Sequence, residues 1–264
     1  MQYTNKVLKN TIWITGCARS GTTILGKILS SLKGVEYAFE PETLFGLLPL
    51  VHNIEKKHWN HIFECYLIED LFYNLCLGRK INLKKNDESS IYNSINKKKI
   101  NQKLNLSIRR SQFETYLKKN QKVLMIKMPD VARNFVKLQT YYPLNKFIVL
   151  RRDPHAIIAS LIKKKWFKKN DIFTPPIFRN KYWLQPGLYK IWNHLSEMEK
   201  AKFYVNKMEK YLKKIKNKYI VDYEQLLRNP DKVIKGVCNF LNLKRTKKTR
   251  EMIGQINVKK LFTN

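Results

Sequence analysis

The sequence predicts an α/β fold, with a mainly parallel β-sheet flanked by helices, on three observations. Short apolar, β-branched runs alternate with stretches of helical apolar spacing along the chain. The first such run leads through a glycine-bracketed loop, Gly16-Cys17-Ala18-Arg19-Ser20-Gly21-Thr22-Thr23, into a helical stretch. A later run ends in Leu150-Arg151-Arg152-Asp153-Pro154, where the proline suits the first turn of another helix.

Taken in order, residues 11–15 (Thr-Ile-Trp-Ile-Thr) have the composition of a buried parallel strand, and residues 24–32 have helical spacing. The glycines therefore sit in a strand-to-helix turn. Residues 43–53 and 59–77 read as helices. Residues 78–120 are rich in Lys, Asn and Ser, with no strong periodicity until residues 113–117, and are expected to form a variable insertion or lid. Residues 123–127 and 147–150 are two further buried strands, separated by a helix over about 131–141. Helices follow at 156–166 and 188–216, a strand at 219–223, and a helix at 231–241 after Pro230. This alternation implies parallel βαβ units, and one domain over residues 1–264 is the simplest organisation.

Composition narrows the function classes. The chain has 264 residues, 44% of them hydrophobic, which is ample for a core. Its four cysteines, Cys17, Cys65, Cys76 and Cys238, show no C-x-x-C spacing, which argues against a zinc module or a disulfide framework. No run approaches the roughly 20 apolar residues of a membrane span, and the first residues lead into the first strand with no signal-peptide core. A cytoplasmic protein with no membrane span is expected. The formal charge of +32 raises nucleic-acid binding as an alternative. However, lysine outnumbers arginine and travels with Asn and Ile, as codon usage in an AT-rich genome would produce, so no specific nucleic-acid partner is expected.

The loop carries the first chemical signal. In a strand-to-helix turn, backbone N–H groups and the positive end of the helix dipole converge on one point, where a phosphate or sulfate is held. An ATP-binding loop would place lysine where this chain has Thr22. Arg19 instead offers a planar donor fork to a tetrahedral anion. The second signal is Arg152 with Ser160. An arginine at a strand end and a hydroxyl about two turns into the next helix would grip another anion, beyond the carboxyl ends of the strands where the loop also lies. A helix-start Arg–Asp salt bridge with a buried serine is the alternative reading of that segment.

Together these segments resemble the sulfotransferases that use 3′-phosphoadenosine 5′-phosphosulfate (PAPS). Gly16–Thr23 resembles their 5′-phosphosulfate loop, and Arg152 with Ser160 their 3′-phosphate pair. Val221-Asp222-Tyr223-Glu224-Gln225-Leu226-Leu227-Arg228-Asn229-Pro230, running into Phe240-Leu241, resembles their tail signature. The resemblance covers about residues 10–42, 123–165 and 219–243, and its motif spacing is nearest to the carbohydrate and tyrosylprotein branches. It implies a P-loop-type fold and sulfuryl transfer from PAPS, a donor co-substrate, to a hydroxyl or amine. The acceptor would be a glycan or another small metabolite, anionic and lipid-linked ones included.

What the resemblance implies for single residues follows the motifs. Cys17, Ala18, Arg19, Ser20, Gly21, Thr22 and Thr23 would hold the phosphosulfate end, and Arg152 and Ser160 the 3′-phosphate. Tyr223 resembles a nucleotide-contacting tyrosine of some members, while a core tyrosine at a strand end is the other reading. Lys127 resembles the lysine near the departing bridge oxygen, and Arg19 would also steady charge in the transition state. Glu40, seventeen residues after Thr23, stands where members carry a glutamate, and Phe39 and Pro41 would partly desolvate it as a base. Glu42 and then Asp130 are the next candidates.

Two positions depart from the family patterns. Pro129 replaces the histidine of the small-molecule branch, and Thr43 replaces an arginine of the tyrosylprotein branch, which speaks against a tyrosine acceptor. No metal is expected, because protein cations would supply the charge. His58, His61 and Glu64 or Cys65 fall at the spacing of a helix face, which zinc would need as well. A divergent kinase using ATP-magnesium and a non-catalytic nucleic-acid-binding protein are the runner-up functions. Residues 78–120 and 167–184 are expected to set acceptor choice.

Overall fold

The computed structural model describes residues 2–167, 192 and 194–261. Among them the elements run α1 (Gln2–Lys9), β1 (Ile12–Gly16), α2 (Thr22–Ser30), β2 (Val35–Phe39), α3 (Glu42–Leu47), α4 (Lys56–Cys65) and α5 (Tyr73–Cys76). Then come α6 (Lys97–Leu104), α7 (Phe113–Lys119), β3 (Val123–Lys127), α8 (Ala132–Tyr141), β4 (Lys146–Arg151), α9 (Pro154–Lys163) and α10 (Glu197–Lys214). The chain closes with β5 (Lys218–Asp222), α11 (Tyr223–Arg228), α12 (Pro230–Leu241) and α13 (Lys247–Leu261).

Five strands form one sheet in the order β2-β3-β1-β4-β5, and every pairing is parallel. Period-two alternation divides each central strand between two cores. Trp13, Leu124, Ile126, Phe147 and Val149 face a layer containing α1, α3, α4 and α7–α10. Ile12, Ile14, Met125, Ile148 and Leu150 face α2 and α11–α13. Burial on both faces explains why these strands read as continuous apolar runs. The sheet reverses its winding at β1, which lies between β3 and β4, so the Gly16 loop opens at the crevice where such sheets bind ligands.

The α/β architecture with a parallel sheet stands as expected, with local corrections. The chain does not lead straight into β1, since α1 precedes it and packs Val7 and Leu8 into the core. The strand β2 carries no strong sequence signal, because Glu36, its second residue, breaks the apolar run. That carboxylate is buried and accepts from Lys122 at 2.6 Å and from Lys103. Tyr223 does not end β5. Asp222 accepts from Gln225 N at 3.3 Å and caps α11, which makes Tyr223 the first residue of that helix. The helix predicted over 59–77 contains a π-helical stretch at Tyr66–Phe72. The predicted helix at 188–216 is observed over Glu197–Lys214; residues 188–191 and 193, like most of the acceptor segment at 167–184, lie outside the described residues.

Residues 78–120 carry α6 and α7 and lie beside the edge strand β2. Phe113, Leu117 and Ile100 are buried, and Ser94 Oγ donates to Ser30 Oγ at 2.8 Å, tying the segment to the end of α2.

Candidate active site

After Gly16 the chain reverses through Cys17–Gly21, and α2 begins at Thr22. The turn is pinned from inside. Ser20 N and Oγ both donate to the Cys17 carbonyl, at 3.2 and 2.7 Å, and Ala18 N donates to Asp130 Oδ1 at 3.0 Å and to Tyr204 Oη at 2.5 Å. Arg19 follows at φ 67° and Gly21 at φ 97°. Gly21 is required on two counts, because its φ suits glycine and a Cβ there would run into the Tyr223 ring. No side chain caps α2 at Gly21, so its first amides point out of the loop towards any anion above it.

Cys17, Ala18 and Ser20 are buried, and their side chains shape the loop from beneath. Burial pushes the Cys17 thiol well up, with Asp130 and Glu209 adding to the effect, so it stays protonated.

On the β4 side the expected residues come together. Arg19 Nε donates to Ser160 Oγ at 3.1 Å, and Arg152 Nη1 donates to the Arg19 carbonyl at 2.8 Å. The Arg152 guanidinium lies 4.6 Å from the centre of the Tyr223 ring, while its Nε is buried with no hydrogen-bond partner among the described residues. Asp153 caps α9, accepting from His155 N and Ala156 N at 3.2 Å each. The salt bridge of this segment belongs to Arg151, which meets Asp222 of β5 at 3.3 Å. The helix-start Arg–Asp alternative therefore does not describe Arg152.

On the β3 side Lys127 is buried and its Nζ donates to Thr23 Oγ1 at 3.1 Å. The same ammonium pairs with Glu40 and sits 4.2 Å from the centre of the Phe39 ring. Glu40 has φ 44°, and its amide donates to the Lys127 carbonyl at 3.0 Å, continuing the β2–β3 ladder by one step. Its side chain remains 31% exposed, enough to meet a ligand. Glu42 starts α3, exposed. Glu40, and not Glu42, is thus the carboxylate joined through Lys127 to the loop.

Asp130 and Tyr204 were not among the primary site candidates. Burial raises the Asp130 carboxyl to about 6, against hydrogen bonds from Tyr204 and the Ala18 amide that favour the charged form. Tyr204 is fully buried in the middle of α10, where its sequence context reads as core.

A cavity of about 860 Å³ runs beside β2 from Lys33 to Glu42 and includes Glu40, with the 78–120 segment as its outer wall. Lys80, Lys99, Lys103 and Lys122 line it. Burial alone would raise the Glu36 carboxyl in this wall, but Lys103 and Lys122 hold it below its ordinary value. Among the described residues no group of three or more His, Cys, Asp or Glu side chains is placed to hold a metal ion, and no helix is long and apolar enough to cross a membrane. His58 is exposed beside Glu55 at 3.5 Å, and Glu64 accepts from Tyr142 Oη at 2.8 Å.

The sequence model of a family described as "Sulfotransferase family" matches residues 11–247. The chain belongs to the sulfotransferase family. That span takes in β1, the loop, β3, β4 and β5, and with it the kinase and the non-catalytic nucleic-acid readings give way to a sulfotransferase enzyme. No curated protein matches the chain. Among solved structures, the chain is similar to the sulfotransferase domain from the curacin biosynthetic pathway, at 18% identity over 91% of this chain and 76% of that one, TM-score 0.46. It is also similar to the sulfotransferase domain of the Synechococcus PCC 7002 olefin synthase, at 21% identity over 91% and 76%, TM-score 0.44. Sulfotransferase STF1 from Mycobacterium tuberculosis H37Rv gives 15% identity over 96% and 73%, TM-score 0.42.

Proposed function

We propose that this sulfotransferase moves the sulfuryl group of PAPS to a hydroxyl or amine of a glycan or other small metabolite bound in the cavity beside β2. One observation carries the reading. The uncapped start of α2 has cationic clusters on both sides: Lys127 with Thr23 and Glu40 towards β3, and Arg19, Ser160 and Arg152 towards β4. A donor with anionic groups at two ends suits that layout. The buried Arg152 Nε, with no hydrogen-bond partner among the described residues, is a donor suited to an added acceptor, and the Tyr223 ring between Gly21 and Arg152 is a flat wall for a nucleotide.

PAPS supplies a sulfuryl group on a 5′-phosphate leaving group, together with a 3′-phosphate that ATP lacks. In this reading the α2 amides, Arg19, Thr22 and Thr23 hold the phosphosulfate end, and Arg152 with Ser160 holds the 3′-phosphate. Lys127 steadies the negative charge that develops on the bridge oxygen. Glu40 takes the acceptor proton from the cavity side. Charge is spread over the equatorial oxygens of such a transition state, so donors aimed in advance matter more than covalent catalysis. The cations are the protein's own, which leaves no step that calls for a metal. The 78–120 segment walls the acceptor cavity, and its lysines favour an anionic acceptor.

The test is transfer of labelled sulfate from PAPS into a panel of glycans, lipids, phenols and peptides, beside thermal shift with adenosine 3′,5′-bisphosphate. Transfer to one acceptor class, with stabilisation by the bisphosphate, is expected. Stabilisation by ATP-magnesium and not by the bisphosphate would overturn the donor assignment.

A further inference from the structure

Asp130 follows β3 by three residues and is held against the start of the loop by backbone and side chain together. Its amide donates to the Gly16 carbonyl at 3.4 Å, and its Oδ1 accepts from Ala18 N at 3.0 Å and from Tyr204 Oη. Tyr204 reaches the same amide from α10, at 2.5 Å. One backbone N–H is thus clamped by two side chains from distant parts of the sequence, and it is turned away from the mouth of the loop. The next residue is Arg19, in the left-handed conformation, whose carbonyl meets Arg152 and whose guanidinium meets Ser160.

We propose that Asp130 and Tyr204 are positioning residues for the donor loop. By holding the Ala18 amide inward they fix the turn at Arg19, and through Arg19 they set where the Arg152–Ser160 cluster stands. The proposal rests on the reading of this loop as the donor site. What the clamp needs from residue 130 is an acceptor oxygen and not a charge. A carboxylate on the inner side of a loop that binds an anion gains nothing from being ionised, and Glu40 already places a second negative charge nearby, offset in part by Lys127. Asparagine keeps the oxygen and drops the charge. That separates the clamp from a role as proton acceptor, the other use of an aspartate at this position.

The experiment compares Asp130→Asn, Asp130→Ala and Tyr204→Phe in the full chain. Two readouts are taken: affinity for adenosine 3′,5′-bisphosphate by calorimetry, and hydrogen exchange of the backbone amides at 17–22 without nucleotide. Asp130→Ala should weaken the bisphosphate about 10-fold and Tyr204→Phe about 5-fold, the scale of one buried hydrogen bond, and both should speed exchange at Ala18. Asp130→Asn should restore affinity, turnover and protection relative to Asp130→Ala. Combining Asp130→Ala with Tyr204→Phe should cost less than the product of the two, because both act on one amide. Asp130→Asn losing turnover as fully as Asp130→Ala, at unchanged affinity, would make Asp130 a proton acceptor and overturn the proposal. Unchanged exchange and affinity in Tyr204→Phe would reduce Tyr204 to core packing. A wild type blind to the bisphosphate would sink the donor reading, and the exchange arm would still decide the clamp.

Discussion

Replacing Arg152 with alanine removes two separable things. One is the 2.8 Å bond from Nη1 to the Arg19 carbonyl, with the stacking on Tyr223, which together hold the loop for any nucleotide. The other is the guanidinium edge carrying Nε, which has no partner among the described residues and in our reading meets the 3′-phosphate alone. A charge-assisted hydrogen bond contributes about 1.5–3 kcal/mol, so adenosine 3′,5′-bisphosphate should lose about 10- to 150-fold in affinity from that contact. 5′-AMP should lose only the part due to the loosened loop. Calorimetry on wild type and variant with both nucleotides closes a cycle in which residue and phosphate are each removed once, and the loop contribution cancels. Arg152→Lys should fall between, since it keeps the charge but not the planar fork. A ratio of the two affinities that is the same in wild type and folded Arg152→Ala would refute the assignment.

Glu40→Gln keeps the shape at the end of β2 but removes basicity, so turnover should fall by roughly 10²- to 10⁴-fold in a sulfate-transfer assay, with bisphosphate affinity nearly unchanged; Glu42→Gln is the mild control. Activity should survive exhaustive EDTA treatment, and an absolute need for added magnesium would count against cations supplied by the protein. Asp130 has a folded-state pKa of about 6, above its ordinary value of 3.8, so its ionisation opposes folding, with the cost absent below about pH 4 and complete above about pH 6. Melting curves should therefore show Asp130→Asn gaining on wild type between those values, by up to about 3 kcal/mol, with a flat difference above; a gap that shrinks as pH rises would contradict the burial argument.

How much of this was legible depended on whether the physics was local. Strands β1, β3 and β4 announced themselves because both faces are buried, β5 through its β-branched run although this edge strand buries only Val221, and the loop because its glycines sit between a strand and a helix. Arg152 and Ser160 could be paired from spacing, since a strand end and the second turn of the following helix meet by geometry alone. Residues 35–39 gave no such signal. Glu36 breaks the apolar run, and only Lys103 and Lys122, far along the chain, make its burial tolerable. The Asp222 cap was readable in principle, from an aspartate three residues before Gln225, yet the apolar run through Tyr223 outweighed it. Tyr204 had no legible signal, because a tyrosine on the apolar face of an amphipathic helix is core by default, and its hydroxyl found the loop only through the tertiary fold.

Arg19, Glu40 and Asp130 all occupy the left-handed region, in the turns that follow β1, β2 and β3. That conformation costs a residue with a Cβ about 1 kcal/mol or more, and glycine would adopt it freely. Gln121 and Lys165 meet the same backbone demand with exposed side chains, and at Asn217 and Asn242 the chain meets it with asparagine, the usual economical choice. At the three strand ends it does not, and the side chains kept there are the guanidinium and two carboxylates that converge on the loop. Gln121 and Lys165 show that such strain alone marks no site; it is strain together with convergence on one loop that argues that chemistry, and not folding, holds the three identities. Arg19 is the clean place to test this, because it is exposed and its one side-chain bond among the described residues, to Ser160, is worth little to stability. Arg19→Gly should leave the melting temperature unchanged or raise it, while turnover falls by about 10²-fold or more, the usual loss when one pre-aimed donor is removed from a transition state. If the variant melts several degrees lower and transfers sulfate as well as the wild type, Arg19 serves the fold, and the strained turns are no guide to the site.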